Sequence, residues 1–203
     1  RLVNLDRNVF GACMVAHGHA DAMVTGVTRT YSVSYDGVRL AIDPARGQRV
    51  MGISILVTKD RTVFMADTTV TELPDAKDLS EIAIQAAAVA RQMGQEPRVA
   101  LLSHSNFGNA PGGVVEVVRR AVMELDARVA GGQALDFEYD GEMSAAVALN
   151  PELMKIYPFA RLSGPANVLI MPGLHSALIS SQLLQELGGG TVIGPLLIGL
   201  EKP

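Results

Sequence analysis

Three features of the chain predict an α/β fold. From residue 76 onward, helical patterns alternate with short apolar runs, as in a mostly parallel sheet with helices on both faces. Hydrophobic residues make up 48% of the 203 residues and charged residues 19%, which suits a compact domain with a sizeable core. The apolar run 99–102 breaks into a polar, glycine-rich loop over 103–113, and a helical pattern restarts at Val114. That order places the loop at the carboxyl end of a strand, where α/β sheets bind ligands.

Each element has a local reason. Residues 8–17 read as a helix closed near Gly18, and 22–25 as a short strand stopped by Gly26. Residues 28–36 are polar and aromatic without clean periodicity; 38–42 allow one helical turn before Asp43-Pro44, and Arg46-Gly47 resembles a linker. The runs 51–57 and 62–66 flank Lys59-Asp60-Arg61 as a hairpin. Leu79, Ile82, Ile84, Ala86, Val89 and Ala90 give a broad apolar face to a helix over 78–93, with Gly94 as its stop. A buried strand, 99–102, and a second long helix, 114–129, follow. Residues 137–139 read as a strand ending in Asp140-Gly141, 143–149 as helix, 167–171 as a buried strand and 174–187 as a helix closed by three glycines. A last apolar run, 191–200, contains Pro195.

Composition excludes several classes of function. The net charge is −4 and no Lys/Arg cluster stands out, so no nucleic-acid footprint is expected. No apolar run approaches the ~20 residues of a membrane span, and no signal peptide is visible. The single cysteine, Cys13, lies in an apolar helical pattern; it fits buried filler and a reducing, cytoplasmic compartment. A chain that opens on Arg1 and stops at Lys202-Pro203 reads as a fragment of something longer.

The loop carries the candidate chemistry. Ser103-His104-Ser105 invites comparison with a nucleophilic triad, but adjacent side chains diverge in an extended loop and the G-x-S-x-G elbow is missing. Anion or acyl-carrier binding by the hydroxyls and loop amides fits better, because a helix amino terminus adds partial positive charge; a solvated turn is the plain alternative. The glycines of 108–113 match neither standard nucleotide loop. His17, His19 and Asp21 lack metal-site spacing and suit a helix end. Arg29 and Arg39 are candidate phosphate or carboxylate clamps, with solvated surface arginine as the commoner role. Asp67 and Asp140 each end a strand and could face a crevice, although capping is the more ordinary use. Asn167 opens a strand after turn chemistry at 163–166.

Several longer motifs then point to a family. ADAMVTG (20–26), FMADTTV (64–70), EPRVALLSHSNFG (96–108), DFEYDGEMSAAVALN (136–150), LSGPANVLIMPGLHSA (162–177) and VIGPLLIGLEKP (192–203) resemble the phosphate acetyltransferase / phosphate butyryltransferase family. EYDGEM, YPFARLSGPANVL and LLQELGGGTVIGPLLIGLEKP resemble its malic-enzyme branch, the carboxy-terminal phosphotransacetylase-like domain of bacterial NADP-dependent malic enzymes. The resemblance implies a two-lobed, three-layer α/β domain of isocitrate-dehydrogenase-like fold. Residues 1–48 would belong to a first lobe, 49–191 to a second, and 192–203 would return to the first.

The resemblance also implies an acyl-coenzyme A site in the cleft between lobes. Its implied binding residues are Ser103, His104, Ser105, Asn106, Gly112 and Asn167, with Arg39 or Arg29 as the substrate-clamping arginine. The active transferases carry SYST or SFST where this chain has Ser103-His104-Ser105-Asn106, so the first and third serines are kept. Their catalytic Ser, Arg and Asp follow the Lys-Pro that ends this sequence, and the malic-enzyme branch lacks the Ser-Arg pair. The implied role is a non-catalytic domain that binds acetyl-CoA or CoA and assembles a homo-oligomer, a dimer or higher. The implied parent oxidatively decarboxylates malate to pyruvate, with NADP and a divalent metal held by upstream domains. An active phosphate acetyltransferase is the alternative.

Overall fold

A computed structural model describes residues 2–203. The chain forms two compact units: one runs up to Val50 and takes in Leu197–Pro203, the other is Met51–Leu196.

The smaller unit is built on two helices, α1 (Arg7–Ala16) and α2 (Tyr31–Arg39). Asp6 caps α1 by accepting from Asn8 N at 2.8 Å and Val9 N at 3.3 Å, which satisfies amide groups left open at a helix start. Ala12, Val15, Val38 and Ile42 form its core. Residues 31–36 lack apolar periodicity, yet they are helical: Ser34, Gly37 and Val38 are buried, and tertiary packing overrides weak propensity. A Cβ on Gly37 would stand 3.0 Å from Asn8 Cβ, so glycine lets the two helices approach closely. Residues 22–25, expected as a strand, pair with nothing in a ladder; Val24 is 101% exposed, and an isolated extended segment has no buried face to hold it. Pro44 and Leu200 form an antiparallel bridge that ties the returning chain into this unit.

The larger unit holds β1 (Met51–Val57), β2 (Thr62–Ala66), α3 (Ala76–Gln92), β3 (Arg98–Leu102), α4 (Gly113–Ala130) and β4 (Glu138–Met143). It continues through α5 (Ala145–Leu149), α6 (Pro151–Met154), β5 (Val168–Ile170) and α7 (Leu174–Leu187) into β6 (Thr191–Ile198). The strands make a six-stranded sheet in the order β4-β3-β5-β2-β1-β6. The β1–β2 hairpin is antiparallel, whereas β2–β5, β3–β5 and β3–β4 are parallel. This matches the expected mixed α/β architecture with a mostly parallel sheet.

Strand alternation sorts the core into two layers. Ala100, Leu102, Val63, Met65 and Leu169 point to one face, where Val147 and Ala148 of α5, Met154 of α6 and Ala177 of α7 cover them. Val99, Leu101, Phe64 and Ile170 point to the other and are buried. Helices α3 and α4 pack on the sheet and on each other. An Asp75–Asp78 capping box starts α3, with Asp78 N donating to Asp75 Oδ1 at 2.8 Å and Asp75 N to Asp78 Oδ2 at 3.1 Å.

The strand order creates a switch point. From β3 the chain leaves through α4 to β4, at one sheet edge; from β5 it leaves through α7 to β6, at the other. The loops after β3 and β5 therefore part in opposite directions at the carboxyl end of two adjacent strands, a topological switch point of the kind at which α/β sheets bind ligands. Leu101 lies in the middle of this sheet with no exposed surface. Leu101→Ala is expected to cost about 3 kcal/mol, the usual range for an unrelieved cavity, read as a lowered urea midpoint at unchanged m-value.

Candidate ligand-binding site

The loop 103–112 stands at this switch point, and a buried carboxylate holds it there. In the β3–β4 ladder Leu101 pairs with Gly141, but Leu102 pairs with Met143, so Glu142 is the extra residue of a β-bulge. Gly141 permits this: its φ is +155°, and a Cβ there would lie 2.7 Å from Leu101 O. The bulge aims Glu142 beneath the loop, where its side chain is 1% exposed.

Four donors meet that carboxylate. Ser105 Oγ donates to Oε1 at 2.9 Å and Gly108 N to Oε1 at 2.8 Å. Arg119 of α4 donates through Nε to Oε2 at 3.0 Å and through Nη2 to Oε1 at 3.3 Å. Burial raises the Glu142 pKa, but hydrogen bonds from Arg119, Gly108 and Ser105 outweigh it and hold the carboxyl below the ordinary glutamate range. The loop backbone adds two more ties: Phe107 N donates to Glu142 O at 2.9 Å and Ser103 N to Met143 O at 2.9 Å.

The sequence-derived residues fall into distinct roles. Ser105 is buried; its hydroxyl donates to Glu142 and accepts from Ala110 N at 3.1 Å, so it shapes the loop from within. Ser103 Oγ accepts from Ser105 N at 3.0 Å, and Asn106 Oδ1 accepts from Ser144 N at 2.7 Å. His104 and Gly112 are exposed on the loop's outer side. Gly112 is the residue before α4, and no side chain caps that helix, so its first amide groups face outward with partial positive charge. Phe107 packs its ring 5.1 Å from both Tyr157 and Phe159, which steadies the loop from the side.

Asn167 stands apart from the loop. It precedes β5, at the amino end of the parallel strands, where its Oδ1 accepts from Arg98 N at 2.7 Å and its Nδ2 donates to Glu96 O at 2.8 Å. Arg29 and Arg39 belong to the other unit. Arg29 Nη1 donates to Asp6 Oδ2 at 2.8 Å; Arg39 Nη1 donates to Ile42 O at 2.6 Å and lies 3.5 Å from Asp43. Among the described residues, no group of three His, Cys, Asp or Glu side chains is placed to hold a metal ion.

The two aspartates expected to end strands act locally: Asp67 does follow β2, but Asp140 lies within β4, which runs on to Met143 because the bulge carries the ladder past Gly141. Asp67 accepts from Gly52 N at 2.9 Å, Thr69 N at 2.8 Å and Thr71 N at 2.7 Å, capping the turn after β2. Asp140 accepts from Arg161 N at 2.7 Å and Gly141 N at 2.9 Å, and burial raises its carboxyl above the ordinary aspartate range. Nearby, Arg161 binds Asp126 and lowers its carboxyl; burial, with that aspartate, pushes the Tyr139 hydroxyl up to about 12.

Sequence reasoning passed over Glu142 and Arg119. The available signal was the glycine inside EYDGEM, since glycine within a strand pattern marks a bulge. Nothing in the sequence shows which distant groups the bulged acid meets.

Fold and site define an α/β domain with a pinned loop at a topological switch point. A family profile described as Phosphate acetyl/butaryl transferase matches residues 1–203, and the chain belongs to that family. It is 56% identical over 202 residues to an NADP-dependent malic enzyme of Rhizobium meliloti, and 33% identical over 204 residues to a phosphate acetyltransferase of Bacillus subtilis. All of this chain aligns with 26% of that malic enzyme, in its carboxy-terminal part, and 98% of it with 61% of the acetyltransferase. A solved phosphotransacetylase from Streptococcus pyogenes superposes with a TM-score of 0.85 at 32% identity, over 97% of this chain and 59% of that one. The chain is thus a phosphotransacetylase-like domain that spans only part of the relatives it matches.

Glu142→Gln is expected to destabilise the domain by about 2–3 kcal/mol, because an amide group then faces the donors of Gly108 and Arg119. The pH dependence has a defined sign. The lowered Glu142 and Asp126 carboxyls contribute stability that is full above their ordinary values, 4.5 and 3.8, and is lost as pH falls through their folded-state values. Asp140, raised by burial, acts in the opposite sense. Acid denaturation of the wild type should therefore flatten in Glu142→Gln; an unchanged acid limb would remove Glu142 from this role.

Proposed function

We propose that the domain is a non-catalytic, acyl-coenzyme A-binding regulatory and assembly part of an NADP-dependent malic enzyme. One observation carries the reading: a loop pinned from beneath by Glu142 presents His104, Gly112 and the open amide groups of α4 at the switch point. A preorganised set of backbone donors with a helix dipole behind it suits the anionic part of such a ligand, and pinning it in advance lowers the ordering cost of binding. The 56% identity to the Rhizobium meliloti malic enzyme, against 33% to the Bacillus subtilis phosphate acetyltransferase, supports a place in a malic enzyme. Regulation follows if acetyl-CoA binds two states of the parent protein with different affinity.

Assembly has its own support. Helix α7 buries small residues, Ala177 and Ser181, and leaves Leu178, Ile179, Leu183 and Leu187 at 42%, 55%, 54% and 81% exposure. Its outward face carries only His175 and Glu186 as ionisable groups. A large apolar face almost free of charge is self-compatible, as a two-fold interface between copies requires.

Calorimetry on the full-length polypeptide should show acetyl-CoA binding without formation of acetyl phosphate from acetyl-CoA and phosphate. Coenzyme A-dependent acetyl phosphate formation would instead favour an active phosphate acetyltransferase, the reading supported by the 33% identity to the Bacillus subtilis enzyme. His104→Glu puts a negative charge before α4 and should weaken acetyl-CoA binding about tenfold with unchanged thermal stability. If that variant bound normally, the ligand would not lie against this loop. Leu183→Asp should lower the mass measured by light scattering; an unchanged mass would remove α7 from the interface.

A further inference from the structure

The amino end of the same sheet carries a second cleft, about 350 Å³ in volume, that the loop reading leaves unused. Asp60, Arg61, Thr62, Gln95, Arg98 and Asn167 are among its lining residues. Arg98 opens β3, and its backbone is clamped by the buried Asn167, whose Oδ1 accepts from Arg98 N at 2.7 Å. Arg98 Nε donates to Pro165 O at 2.7 Å, which fixes the plane of the guanidinium and leaves both terminal nitrogens for the cleft. Arg61, beside the β1–β2 turn, spends one terminal nitrogen on Leu149 O at 3.2 Å.

Neither arginine has a carboxylate partner among the described residues. The acids best placed to neutralise Arg98 are committed elsewhere. Glu138 stands opposite Arg98 in the β3–β4 register, but its carboxylate accepts from Ser163 N at 2.8 Å and Ser163 Oγ at 2.9 Å. Glu96, two residues before Arg98, holds Arg91 at 3.0 Å. Of the lining residues only Asp60 is acidic, so two arginines against one aspartate leave the cleft with a charge of +1. A half-buried guanidinium held in one plane and left without a counter-charge is an unfilled bidentate donor.

We propose that this cleft binds a small oxyanion, a carboxylate or a phosphate group, on the Arg98 fork, with Arg61 as a second cation. Planar guanidinium matches both groups through two parallel hydrogen bonds. The Thr62 hydroxyl and Gln95 amide supply neutral donors at the same cleft. Because β3 runs from Arg98 to Leu102, this site lies at the opposite end of the strand from the loop after Leu102. It is therefore independent of the acyl-coenzyme A reading, which fails or stands on its own measurement.

The test uses the full-length protein titrated with inorganic phosphate and, separately, with succinate, each with and without added acetyl-CoA. Binding of at least one anion should weaken about tenfold in Arg61→Gln, an exposed position whose loss leaves the fold intact, and further in Arg98→Gln. Which anion responds identifies phosphate or carboxylate as the natural group. Acetyl-CoA affinity measured alone should stay unchanged in Arg61→Gln. If both anions bind Arg61→Gln and a folded Arg98→Lys as they bind the wild type, or neither binds the wild type, the proposal is overturned.

Discussion

The larger unit depends on one buried carboxylate. Glu142 lies under the loop with both oxygens occupied by donors from the loop and from α4. Burying a charge is costly unless it is paired and hydrogen-bonded, and here the compensation comes from two separate chain segments. The same contacts join β4, the loop and α4 into one body. Without them the loop would keep its turn propensities but lose its fixed place at the strand ends.

That constraint has a backbone origin. A strand without a bulge would turn Glu142 to the opposite face from the one it occupies, since side chains alternate along a ladder. The extra residue resets the phase, and Gly141 lets β4 pass close to Leu101 O while it does so. The order β3-β5 at the sheet centre then supplies the switch point, because α4 and α7 depart in opposite directions. A rigid loop at such a point is a general solution for binding anionic ligands, and the family relationship indicates the ligand class to test first.

The two ends of the sheet solve an electrostatic problem differently. At the carboxyl end, the charge of Arg119 is answered inside the protein by Glu142 and by Glu116 at 3.1 Å. The amide groups left open at that end are those that begin α4, which no side chain caps. At the amino end, Asn167 organises the backbone with neutral hydrogen bonds, and the arginines keep their charge. A protein with a net charge of −4 gains local positive potential only where acids are kept away or tied up, as Glu138 and Glu96 are.

The sequence by itself determined the elements whose burial follows a local period. The hairpin strands, α3, α4, α7 and the central strands lie where alternation, apolar stripes, glycines and prolines put them, within a residue or two. It also marked the loop after Leu102, because a glycine-rich break between an apolar run and a helix is a local signal. Tertiary structure decided what local signals do not encode. Helix α2 exists because α1 covers Gly37 and Val38, and 22–25 is no strand because no ladder receives it. Ser105 is turned inward by Glu142, a residue 37 positions away, and Asn167 lies at the other end of the sheet from the serines. Propensity and periodicity act over a few residues, whereas the partner of a buried charge is chosen by packing across the whole unit.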